Sequence, residues 1–198
     1  MKVLGAIGLL LMTFSLCFSQ DVKPVEDGGS GILYGEDHAY SVTAPKGWVL
    51  DNRAGASQGV HAVFYPLGKS WADAPAVMYT NVWRKDKENS TIEEVIENDI
   101  RSFRERSASL KVNEAPDISI KGGKKALVRL FTGDVHGNYE AIAYIDEPKL
   151  VVLFVLSSKT KEDFETSLGL FDELVKSYFF ITDDVELVTK KESDERQD

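Results

Sequence analysis

Cysteine is all but missing: Cys17 is the one thiol in 198 residues. It sits in an apolar N-terminal run, so a chain cleaved just beyond it would hold none. Disulfides, thiol nucleophiles and thiolate metal sites are then excluded. Histidine is scarce as well, with only His38, His61 and His136. They fall ahead of a strand, in a strand and in a hairpin turn, without the spacing of a metal site. Asp134 and His136 are near each other, which a polar hairpin tip explains. Positive charge is in deficit: 23 Lys and Arg against 32 Asp and Glu give a formal net charge of −9. Nucleic acid needs clustered Lys and Arg, so no nucleic-acid partner is expected. The same charge disfavours an anionic membrane surface. Gly-x-Ser-x-Gly is absent. Gly28, Gly29 and Gly31 do not join a strand to a helix and form no phosphate loop. Glu93, Glu94 and Glu97 read as a solvated helix face, and there is no internal repeat. No catalytic residue, metal or cofactor is therefore expected.

What is present begins with Met1-Lys2 and an apolar run from Val3 to Phe18, broken by Thr13 and Ser15. Ser19-Gln20-Asp21 then turns polar. This is the layout of a secretory signal peptide, with cleavage expected between Ser19 and Gln20. The run is short for a bilayer span, so no membrane span is expected after cleavage. The expected location is secreted or periplasmic. A lipid anchor on Cys17 is the lesser alternative, because Leu16 stands where such signals place a small residue.

The centre of the chain is three strands in a row, at residues 125–134, 138–147 and 149–158. The first two alternate between apolar and mixed faces. The third is apolar almost throughout, which calls for cover on both of its sides. A helix follows, with Thr160 as its N-cap and Glu162 and Asp163 in its first turn. Phe164, Leu168, Phe171, Leu174, Val175, Tyr178 and Phe179 form its apolar stripe. An earlier helix opens on a capping box, Ser90 with Glu93, and buries Ile92, Val95, Ile96, Ile100 and Phe103. Further strands are expected near residues 32–35, 39–44, 48–50, 60–65, 76–84, 110–115 and 118–120. The fold class is α+β, a central antiparallel sheet with helices packed on both faces. The domain plan is a signal peptide over residues 1–19, a loose lead-in over 20–31, one domain over 32–181 and a charged tail over 182–198.

Among the aromatics, Trp48 reads as core, and Trp83 as core or edge. Trp71 lies in the turn-rich loop 66–75, and tryptophan is enriched at interface anchors. The expected binding surface is Trp71 with neighbouring His61 and Tyr65.

The segment Tyr-Ser-Val-Thr-Ala-Pro-Lys-Gly-Trp, from Tyr40 to Trp48, resembles the opening of PsbP-like domains. The order of elements from Ile32 to Phe180 agrees with that family. The resemblance implies the α/β/α sandwich shared by the extrinsic photosystem protein PsbP, a Ran-binding import factor and many small exported bacterial proteins. That fold hosts adaptors and subunit-stabilising proteins more often than enzymes. The leading expectation is an exported, non-enzymatic binding or assembly module with a protein partner in the cell envelope. The alternative is a periplasmic small-molecule carrier or hydrolase with a pocket between sheet and helix. Tyr144, Arg129 and His61 are the polar groups that would converge on such a pocket.

Overall fold

The computed structural model describes residues 27–35, 38–60, 62–85, 90–183 and 185. In chain order its elements are β1 (Ser30–Tyr34), β2 (Ala39–Thr43), β3 (Trp48–Asp51), β4 (Ala62–Pro66), β5 (Ala76–Arg84), α1 (Ile92–Arg106), β6 (Lys111–Ser119), β7 (Lys125–Thr132), β8 (Tyr139–Asp146), β9 (Leu150–Ser158), α2 (Lys161–Ser177) and β10 (Phe179–Thr182). The architecture is α+β, with a large antiparallel sheet and, among the described residues, the two helices α1 and α2. Seven strands run in the order β3-β4-β5-β9-β8-β7-β6, and three more form a separate sheet, β1-β2-β10.

The apolar run of β9 sits in the middle of the large sheet, paired with β5 on one side and β8 on the other. Alternate residues of β8 and β9 enter different clusters. Ala141, Ala143, Ile145, Val152, Phe154 and Leu156 pack with Phe164, Phe171, Leu174 and Val175 of α2. Ile142, Tyr144, Val151, Leu153 and Val155 pack with Ile92, Val95 and Ile96 of α1. Burial of this apolar area, at about 25 cal/mol per Å², is the main driving force for the fold.

Thr160 caps α2 as expected, its hydroxyl accepting from the Asp163 N–H at 3.1 Å. The capping box of α1 lies one residue later than expected. Thr91 Oγ1 accepts from the Glu94 N–H, and Glu94 Oε2 accepts from the Thr91 N–H, both at 3.2 Å. Adjacent Ser90-Thr91 and Glu93-Glu94 pairs offer both frames, and the fold uses the second.

Three boundaries differ more. Phe179 was expected on the apolar stripe of the last helix, but α2 stops at Ser177 and the chain pairs with β2 instead. The Tyr178 ring is buried against Tyr40 and Phe154, at 5.5 and 5.9 Å between ring centroids. A partner strand supplied from far back in the sequence overrides the helical period. The two short strands around Pro116 are one strand, β6, whose register shifts between Ala115 and Ile118. Pro116 is tolerated because β6 is the sheet edge. Ser30 and Gly31, expected in a loose lead-in, open β1. A Cβ on Gly31 would lie 2.7 Å from Leu50 Cδ2, so glycine allows that approach.

The expected signal segment, with Ser19 and Gln20, and nearly all of the charged tail lie outside the described residues. Among the described residues no helix is long and apolar enough to cross a membrane.

Candidate functional site

Pairing across β5, β9 and β8 sets side chains in rows, because opposed residues share a face. One row is Val77, Ser157 and Glu140; the next is Tyr79, Val155 and Ile142; the third is Asn81, Leu153 and Tyr144. The C-terminal half of α1 leans over the β8 and β7 side of this face. Tyr144 Oη donates to Asp99 Oδ2 at 2.5 Å, and the Phe103 and Phe131 rings lie 5.0 Å apart. Beside that half of the helix, Tyr79 and Asn81 of β5 and Leu153 and Val155 of β9 line a gap. The result is a cleft of about 400 Å³, floored by Tyr79, Ile142, Leu153 and Val155 and walled by Asp99, Phe103 and Arg106 of α1.

The second wall is the β7–β8 turn, which brings Asp134, His136 and Asn138 to the rim. Asp134 Oδ1 accepts from the N–H groups of Asn138 at 2.7 Å and His136 at 3.2 Å. The turn is tied to the end of α1: Ser107 Oγ accepts from the Val135 N–H at 3.0 Å, and Ser109 Oγ donates to the Gly133 carbonyl at 2.7 Å.

Glu140 lies at the bottom of this ring, only 8% exposed. Burial raises its carboxyl above the ordinary range, the Ser157 hydroxyl lowers it, Asp134 and Asp99 raise it, and Lys159 lowers it; the net shift is upward. Among the described residues no cation lies at ion-pair distance from it. Asp99 is also raised, by burial, against the opposing effects of its Tyr144 hydrogen bond and of Arg106. Arg106 lies over the Phe103 ring at 5.0 Å. An apolar floor around a buried carboxylate without a counter-cation suits a ligand that brings an apolar body and a proton donor or positive charge.

A larger hollow of about 700 Å³ lies between β1, β2 and β5. Its buried titratable group, Tyr40, is pushed up to about 12 by burial and already donates to Thr80 Oγ1 at 3.1 Å. With that demand met, the smaller cleft carries more chemistry.

Of the residues singled out from sequence, Trp71 and Tyr65 come together in one cluster with Val49, Val63 and Tyr79. Trp71 is half-buried and stands edge-on to Tyr79, with ring centroids 5.9 Å apart. Tyr65 is buried, its hydroxyl donating to Asp51 Oδ2 at 2.7 Å. His61 lies outside the described residues. Tyr144 reaches the cleft through Asp99, whereas Arg129 pairs with Glu114 at 3.2 Å. Sequence reasoning missed Asp99 and Glu140. Asp99 falls on the same stripe as Ile92, Val95, Ile96 and Phe103, and an acid on a buried stripe was the available signal.

No protein-family model and no curated protein matches the sequence. The solution structure of cyanobacterial PsbP from Synechocystis sp. PCC 6803 is similar, with a TM-score of 0.52 at 15% identity, over 84% of this chain and 99% of that one. A mutant of protein Mog1 gives a TM-score of 0.49 at 13% identity, over 82% of this chain and 99% of that one. The chain has a PsbP-like fold.

Proposed function

We propose that this PsbP-like chain is an exported, non-enzymatic binding module that holds a small ligand in the cleft beneath α1. In this reading α1 and α2 cover opposite faces of the large sheet, and the ligand enters between the C-terminal half of α1 and β5. The observation that carries it is Glu140, 8% exposed on an apolar floor and without an ion pair among the described residues. Carboxyls shifted by burial in a cleft mark functional sites more often than chance. Export rests on the N-terminal pattern, and the working site of action is the periplasm.

The test is an amide chemical-shift titration of the folded protein with a mixed panel of small organic cations, anions and neutral compounds. Shifts gathered at Tyr79, Phe103, Asn138 and Ile142 are expected. A panel that moves none of these amides would refute the cleft as the site. Export is checked by intact mass and fractionation, with a soluble periplasmic species beginning at Gln20 expected and an acylated species beginning at Cys17 contradicting it.

A second reading places a protein partner on the loop over residues 66–75 with Trp71; Tyr65, buried beneath it, is not available to a partner. This reading is favoured by Leu67, a large apolar side chain 52% exposed in that loop. Trp71→Ala that leaves partner affinity unchanged would remove it.

A further inference from the structure

We propose that the cleft takes a small organic ammonium, its charge placed against Glu140 and its apolar body on Tyr79, Leu153 and Val155. This inference rests on the cleft being the ligand site.

The two ends of β8 make the contrast. Glu147, just past the strand and 2% exposed, is satisfied by Lys124 at 2.6 Å and by the Tyr178 hydroxyl at 3.1 Å. Glu140, at the other end, is nearly as buried and has the Ser157 hydroxyl as its side-chain hydrogen-bond partner. A buried carboxylate lacking a counter-cation is unfavourable in the free protein, and a bound cation relieves that. The neighbouring charges set the sign of the ligand. An anion would meet Asp99, Asp134 and Glu140 together. Arg106 and Lys159 are the cations that face Glu140's surroundings, and neither forms an ion pair with it among the described residues.

The floor sets the rest of the ligand. Ile142, Leu153 and Val155 offer nothing to a hydrated inorganic ion, and with the Tyr79 ring they suit an apolar body. Among the described residues no three His, Cys, Asp or Glu side chains could hold a metal ion together. The volume, about 400 Å³, falls within the range of small-molecule sites.

The experiment compares phenethylammonium, phenylacetate and phenethyl alcohol, which share one body and differ in charge. Each is titrated calorimetrically and by amide shifts against the full chain, Glu140→Gln and Asn81→Lys. Phenethylammonium is expected to bind in the cleft, and Glu140→Gln to weaken it about tenfold or more. Asn81→Lys alters an exposed position on the cleft wall and is expected to weaken it by supplying a competing cation. A lysine side chain could present the same ammonium from a protein. Tighter binding of Nα-acetyl-lysine methylamide would support the inference and assign the source to a peptide. Equal binding of the alcohol in the cleft, or unchanged affinity in Glu140→Gln, would overturn the ammonium while leaving the cleft as the site. Failure of all three probes to move the cleft amides would overturn both.

Discussion

Lys124 Nζ lies 2.6 Å from Glu147 Oε2, and the carboxylate it meets is almost completely buried. The same ammonium donates to the Asp146 carbonyl at 3.1 Å, and Tyr178 Oη donates to the second carboxylate oxygen at 3.1 Å. The three contacts fasten the end of β8 to the point where α2 gives way to β10.

Lys124→Met should therefore destabilise the protein by about 2–3 kcal/mol, since it strands a buried charge. The figure lies below the usual cost for a buried pair because the lysine side chain is itself half exposed. Lys124→Met with Glu147→Gln should recover much of that loss. Urea unfolding midpoints decide the matter, and an unchanged midpoint in the single variant would mean the pair contributes nothing.

Glu140 carries the opposite expectation. Burial raises both Glu140 and Asp99 above ordinary carboxyl values. The folded state then keeps protons that the unfolded chain has already released. Their contribution is fully present below the ordinary carboxyl range and is lost as pH rises through the raised values. Glu140→Gln removes one of these groups and should be more stable than the parent at pH 7 by roughly 1 kcal/mol, with the difference vanishing near pH 4. Asp51 works in the reverse sense: burial raises it, but its Tyr65 hydrogen bond and two backbone N–H groups lower it further, so its contribution is lost only on acidification. A Glu140→Gln advantage that is the same at both pH values would show that Glu140 does not titrate in this window. Higher stability together with weaker ligand binding in one variant is the signature of a residue kept for function.

The meander β7-β8-β9 and the two helices were legible because each carries a long, regular hydrophobic period. The order of the strands in space was less so. Nothing local marks residues 179–182 as a partner for Ser41 and Tyr40; that pairing joins segments almost the whole domain apart. The candidate site was hidden for the same reason. Tyr79, Glu140 and Leu153 belong to three strands, and only the register of β5, β9 and β8 lays them side by side. Trp71 drew attention because a loop tryptophan is conspicuous in sequence, yet its ring packs on Tyr79, whose own side chain lines the cleft. Neither Trp71 nor Tyr65 lines the cleft; the expected surface only adjoins it, through the ring contact of Trp71 with Tyr79.

The rim of the cleft depends on a single backbone position. Gly133 has a φ of +79°, where a side chain is strained, and a Cβ there would lie 2.7 Å from the Ser109 carbonyl oxygen. Gly137, at the other side of the turn, has a φ of +71° and open space around it. Gly137→Ala thus meets backbone strain alone, about 1 kcal/mol. Gly133→Ala meets the same strain and a clash with backbone that the Ser109 hydrogen bond holds in place, so its loss should be larger, about 2–3 kcal/mol. It should also shift the amides of Asp134, His136 and Asn138, and so weaken whatever the cleft binds. Unfolding midpoints and amide shifts of the two variants check this. Equal losses in both would mean that the turn does not press against the end of α1, and that this wall of the cleft is looser than its hydrogen bonds imply.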